Sequence, residues 1–205
     1  MFSYDSPFSR FMRLISGLFC LSLCWLAGSL PVFCYGASSA ALATVTLRMV
    51  RGEQVRLFRD FFAAYRANFR QGTVLGLLGL AALALLGGDL LIMRGVGGLW
   101  RTAGTVLFSV MLAVVGFMLT VVFHLQASFD NPIRTTLMNA LRFSLGYLSD
   151  SFSLLLLLTL LIFSSTQIAS MLPLMLVLGT GTFAYVSSLL WELRFRPFLL
   201  AAGEL

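Results

Sequence analysis

The chain alternates long apolar stretches with short polar or arginine-rich ones. The apolar stretches run over residues 14–30, 33–50, 73–93, 103–123, 152–168 and 172–190. Each approaches the ~20 residues that a helix rising 1.5 Å per residue needs to cross about 30 Å of hydrocarbon. Pro31 separates the first two, since it has no amide to donate and holds Leu30 extended. Two intervening segments show a helical period instead. Val55, Phe58, Phe62, Tyr65 and Phe69 recur in steps of three and four, with Arg56, Arg59, Arg66 and Arg70 largely opposite. That pattern predicts an amphipathic helix over 54–71, lying in the inner interface. Further on, Asn131 is a predicted N-cap, Pro132 takes the first helical position, and Leu137, Leu141, Leu145 and Leu148 follow at helical spacing. A second interfacial helix is expected over 132–149. The predicted fold is all-α: a polytopic integral membrane helical bundle, one domain over 1–205, with six transmembrane helices as three hairpins and inner interfacial amphipathic helices.

Composition agrees with a bilayer setting. With 59% hydrophobic and 11% charged residues, there is too little polar surface to cover a water-soluble globule. All 14 basic residues are arginine, which stays protonated, so a Schiff-base lysine enzyme is excluded. Charge also sets the topology. If 33–50 crosses and the N-terminus is inside, only Arg94 and Arg101 face out, as the positive-inside rule prefers over a re-entrant loop. The expected protein is a multi-pass cell-membrane protein with cytoplasmic N- and C-termini. Arg10 and Arg13 before the first apolar run imitate a signal peptide. The run is longer than a usual signal core, so an uncleaved first helix is expected. The arginines follow topology and do not suggest nucleic-acid binding.

Candidate chemistry is sparse. On the fourth stretch Thr105, Ser109, Ala113, Gly116, Thr120 and His124 recur in steps of three and four, forming a small, partly polar stripe that ends at the single histidine. Such a stripe lines a solute path, with His124 as proton donor, or packs closely against another helix. Asp89 is an acid near the outer end of the third stretch; Arg94 or Arg101 can offset its cost as an ion-pair partner. Ser164, Ser165, Thr166 and Gln167 read as the capping of a helix end. Gly72 and Gly76, in Gly-x-x-x-Gly spacing, suit close helix packing. Cys20, Cys24 and Cys34 lack a histidine or further cysteine nearby and read as small packing residues. There is no Gly-rich phosphate loop, no metal-binding pair at helical spacing, and no acid adjacent to the one histidine. No catalytic residue, metal or cofactor is expected.

The run LPVFCYGASSAALATVTLRMVRGEQVRLFRDFFAAYRANFRQGTVL, with Pro31, Gly36, the Ala/Ser-rich turn after it, TLRMVRGE over 46–53 and the aromatic segment Phe61 to Phe69, resembles the YesL family of bacterial integral membrane proteins. FDNPIRTTLMNAL extends the resemblance more weakly. Cys34 departs from it, since a threonine is expected there. The family carries no established catalytic or ligand residues; the resemblance implies only a setting near carbohydrate uptake and breakdown. Two functions are therefore expected. One is a non-catalytic accessory or partner protein of a carbohydrate-uptake system, docking membrane lipids, a transporter subunit or a second copy of itself through Arg56, Arg59, Arg66, Arg70, Phe58, Phe62, Tyr65 and Phe69. The other is a small-solute transporter or channel subunit using Asp89, Thr105, Ser109, Thr120 and His124.

Overall fold

A computed structural model describes residues 7–129, 131–146 and 172–195, which contain helices and no strand. Helix α1 (Pro7–Ser29) ends just before Leu30 and Pro31. A 3-10 turn, Val32–Cys34, reverses the chain, its Cys34 amide donating to the Pro31 carbonyl at 2.7 Å. Helix α2 (Tyr35–Val50) runs back to a turn in which Gly52 takes φ +75°, a conformation that a side chain would strain. Next come α3 (Leu57–Met93), α4 (Gly98–Ser128), α5 (Ile133–Gly146) and α6 (Leu172–Leu190), the last passing into a π-helical turn, Trp191–Phe195. Among the described residues three helices are long and apolar enough to cross a membrane: Phe8–Ser29 of α1, then α3 and α4. The expected fifth span, 152–168, the Ser164–Gln167 patch and the end of the 132–149 segment lie outside the described residues.

Helix α2 is the centre of the bundle and packs against α1, α3, α4 and α6. Its residues are mostly Gly, Ala, Ser and Thr, and most are buried, including Ala37, Ala40, Ala41, Val45 and Thr46. Small side chains let helix backbones approach, which is where association energy comes from when lipid is as apolar as leucine. Gly36 shows how close they come. A Cβ built there would fall on the Gly72 carbonyl oxygen and lie 2.7 Å from Gly76 Cα. The Gly72 and Gly76 pair thus meets a third glycine on α2.

Two expectations change. The segments 54–71 and 73–93 are one helix of 37 residues, not an interfacial helix followed by a crossing. Nothing between them breaks the helix: Gln71, Gly72 and Thr73 all continue it, and Asp60 secures its start by accepting the Arg56 amide at 2.9 Å. At 1.5 Å per residue it is about 55 Å long, well beyond one hydrocarbon layer. Second, the glycine crossing places the start of α2 beside residues 72–76. The charge count had put the first of these at the outer surface and the second at the inner. Counting charges treats each span as an independent rod, whereas the crossing fixes their axial register. The face of α3 turned to the bundle lies about one residue round from the interfacial stripe. Phe61, Ala64, Gly72, Leu75 and Gly76 are buried, while Phe58, Phe62 and Phe69 are exposed and Tyr65 is half-buried. Helix α5 repeats this, burying Thr136, Ala140, Phe143 and Ser144 and leaving Leu141 exposed.

Candidate functional site

Helices α1, α2, α4 and α6, with Leu83 of α3, line a half-open cavity of about 270 Å³. Its walls are mainly apolar, supplied by Leu42, Ala43, Leu83, Leu119, Phe123, Phe183 and Ala184, with Trp25 and Tyr35 on one side. The aromatic rings form a chain of edge contacts: Trp25 to Tyr35 and Tyr35 to Phe123, each with centroids 6.0 Å apart. Trp25 Nε1 donates to Ser39 Oγ at 3.1 Å, bridging α1 and α2. The polar side of the cavity belongs to Thr120 and His124 of α4 and to Thr180 and Ser187 of α6.

His124 is buried and bonded at both ring nitrogens. Nδ1 lies 2.8 Å from the Thr120 carbonyl, which can only accept, so Nδ1 carries the proton and Nε2 of the neutral ring accepts. The Ser188 hydroxyl, 3.1 Å away, supplies that hydrogen, and Thr46 Oγ1 stands 2.7 Å from Ser188 Oγ. A chain Thr46, Ser188, His124 therefore ties α2 to α6 to α4. Buried polar groups are costly when orphaned, so this chain fixes how the three helices meet. Ser187 Oγ lies 3.4 Å from the same Nε2 and donates to the Ala184 carbonyl at 3.0 Å. A serine beside a histidine invites a nucleophilic reading. No carboxylate lines the cavity, and the histidine's far nitrogen is held by a backbone carbonyl. The acid partner that orients a catalytic base is not among the described lining residues.

The predicted polar stripe divides in two. Gly116, Thr120 and His124 line the cavity, whereas Thr105 and Ser109 are exposed on the far part of α4. Asp89 is half-buried and, among the described residues, pairs with neither Arg94 nor Arg101. Cys24 and Cys34 are buried free thiols, and Cys20 is half-buried. Ser187, Ser188, Thr46, Ser39 and Trp25 were not singled out beforehand. The signal existed: Thr180, Ala184, Ser187 and Ser188 repeat on α6 the small-and-polar spacing of Gly116, Thr120 and His124 on α4.

A second feature lies on the outside of α3. Arg59, Arg66 and Arg70 form a line next to the exposed stripe of Phe58, Phe62 and Phe69. Tyr65 joins that stripe by an edge contact to Phe69, centroids 5.5 Å apart. The arginines of the preceding turn are paired. Arg48 holds Glu53 at 2.8 Å and Asp60 at 3.3 Å, and Arg51 holds Glu192 of the π-helical turn. Among the described residues Arg56, Arg59, Arg66 and Arg70 form no ion pair.

A family described as "Protein of unknown function, DUF624" matches residues 18–90, which cover α1 from Leu18, all of α2 and nearly all of α3. No curated protein and no solved structure matches the chain.

Proposed function

We propose that the chain is a non-catalytic, multi-pass membrane protein of the YesL type, an accessory of a carbohydrate-uptake system. It docks on the anionic cytoplasmic headgroup layer through the outer face of α3. The line Arg59, Arg66, Arg70, without ion-pair partners among the described residues and beside exposed phenylalanines, carries this reading. The same portion of α3 packs beside α1, whose Phe19, Leu23 and Leu26 are exposed in the manner of a lipid-facing helix. A guanidinium turned to hydrocarbon costs about 2.5–3.5 kcal/mol on insertion scales, so three in a row call for an anionic counter-surface. Headgroup phosphates supply one, worth roughly 1 kcal/mol per arginine near the surface. Phe58, Phe62 and Phe69 sit alongside as the apolar part of an interfacial contact. The family match over 18–90 falls on the stretch that carries the YesL resemblance and supports the kinship.

A deletion strain tests the role. Slower growth on one or more sugars as sole carbon source is expected, restored by the wild-type chain but not by R59Q/R66Q/R70Q expressed at equal level. Undiminished growth of the deletion strain across sugars would remove the accessory role. The cavity favours a second reading, a small-solute transporter in which Thr120 and His124 line the path. It predicts that Thr120→Leu or His124→Phe abolishes flux in proteoliposomes, and wild-type protein without flux for any candidate solute would dismiss it.

A further inference from the structure

Around His124 the polar wall of the cavity has spent its hydrogens. Each hydroxyl owns one hydrogen and two lone pairs. Thr120 gives its hydrogen to the Gly116 carbonyl at 3.3 Å, and Ser187 gives its own to Ala184 at 3.0 Å. His124 has committed its Nδ1 proton to the Thr120 carbonyl, which leaves Nε2 an acceptor beside Ser187 Oγ. On the opposite wall the Trp25 indole proton is taken by Ser39 Oγ. The wall at Thr120, His124 and Ser187 therefore presents acceptors and is short of donors, and among the described residues no charged side chain lines the cavity.

At about 270 Å³ the space is roughly nine times the ~30 Å³ that a water molecule occupies in the liquid. An apolar cavity of about 150 Å³ already has room for benzene.

We infer that this cavity is a binding site for a small uncharged molecule with an apolar body and a single hydrogen-bond donor, an alcohol or phenol in chemical class, whose donor is received at Ser187 Oγ beside His124. An anion or cation would find no counter-charge in the wall. The inference is independent of the docking face on α3 and needs no flux through the cavity.

The chain has one histidine, so ¹⁵N-histidine labelling of the full-length protein in lipid nanodiscs gives a single imidazole to follow. Without ligand the ring is expected as the Nδ1-protonated tautomer. Benzyl alcohol should move the Nε2 resonance saturably. Toluene, the same shape without a donor, should bind ~2- to 12-fold more weakly, the loss of one net hydrogen bond. Ala184→Leu fills the cavity and should abolish saturation. Ser187→Ala leaves the room but removes the acceptor, and should erase the preference for benzyl alcohol over toluene. The inference is overturned by a shift that rises linearly with alcohol and persists in Ala184→Leu, by equal binding of toluene to the wild type, or by an Nε2-protonated resting ring.

Discussion

Replacing Gly36 with alanine tests the crossing that sets the register of the bundle. The new methyl would overlap the Gly72 carbonyl oxygen and stand 2.7 Å from Gly76 Cα and 2.8 Å from Gly76 N. All three are backbone atoms on a helix, so no side chain can swing away; α2 and α3 must separate by about an ångström to restore ordinary carbon contacts of ~3.5 Å or more. Overpacking of this kind costs about 1–3 kcal/mol, and the gain of alanine over glycine in a helix returns at most ~1 kcal/mol. The net expectation is a loss of about 1–2 kcal/mol, a five- to thirtyfold fall in the folding equilibrium. Gly88 is the internal control. It lies within α3, and a Cβ there would meet nothing within 4 Å, so Gly88→Ala should be neutral or stabilising by up to ~1 kcal/mol. Equilibrium unfolding in mixed micelles, followed by far-UV circular dichroism, measures both. A Gly36→Ala protein as stable as the wild type, or a Gly88→Ala protein destabilised as much as Gly36→Ala, would refute the crossing.

Other outcomes follow from the same contacts. Ser188→Ala removes the link between Thr46 and His124 and leaves Nε2 buried without its donor, a loss of about 1–3 kcal/mol in the same unfolding assay. Trp25→Phe keeps a ring in the aromatic chain but loses the bond to Ser39, and should cost about 0.5–1.5 kcal/mol. Arg51→Gln breaks a partly exposed ion pair with Glu192 and should change stability by less than ~1 kcal/mol.

Much of the helical layout was legible in the residues, because hydrophobic runs and Pro31 are local signals. The first helix, the break at 30–34 and the α4 span all follow from them. Which face turns inward was not legible from apolar spacing. In water the bulky apolar stripe is the buried one; beside lipid, phenylalanines 58, 62 and 69 can stay outside while Ala64 and Gly72 make the contact. On α5, likewise, Thr136, Ala140 and Ser144 are buried while Leu141 is exposed. The continuity of α3 escaped because a change from amphipathic to wholly apolar pattern at Gln71 and Gly72 looks like a boundary, though no residue there stops a helix. The candidate site was half visible. Gly116, Thr120 and His124 stood out on one helix, but their partners Thr46, Ser187 and Ser188 are 63 or more residues away in sequence or belong to another small-residue helix. A lone histidine states that a polar partner is needed without saying which.

The docking claim is tested most directly by native mass spectrometry of the protein released from nanodiscs of mixed phosphatidylglycerol and phosphatidylcholine. The wild type should retain phosphatidylglycerol in preference, and R59Q/R66Q/R70Q should lose that preference while keeping the same thermal unfolding midpoint. Equal retention of both lipids by the wild type, or an undiminished preference in the triple variant, would contradict the assignment of the α3 face to the anionic membrane surface.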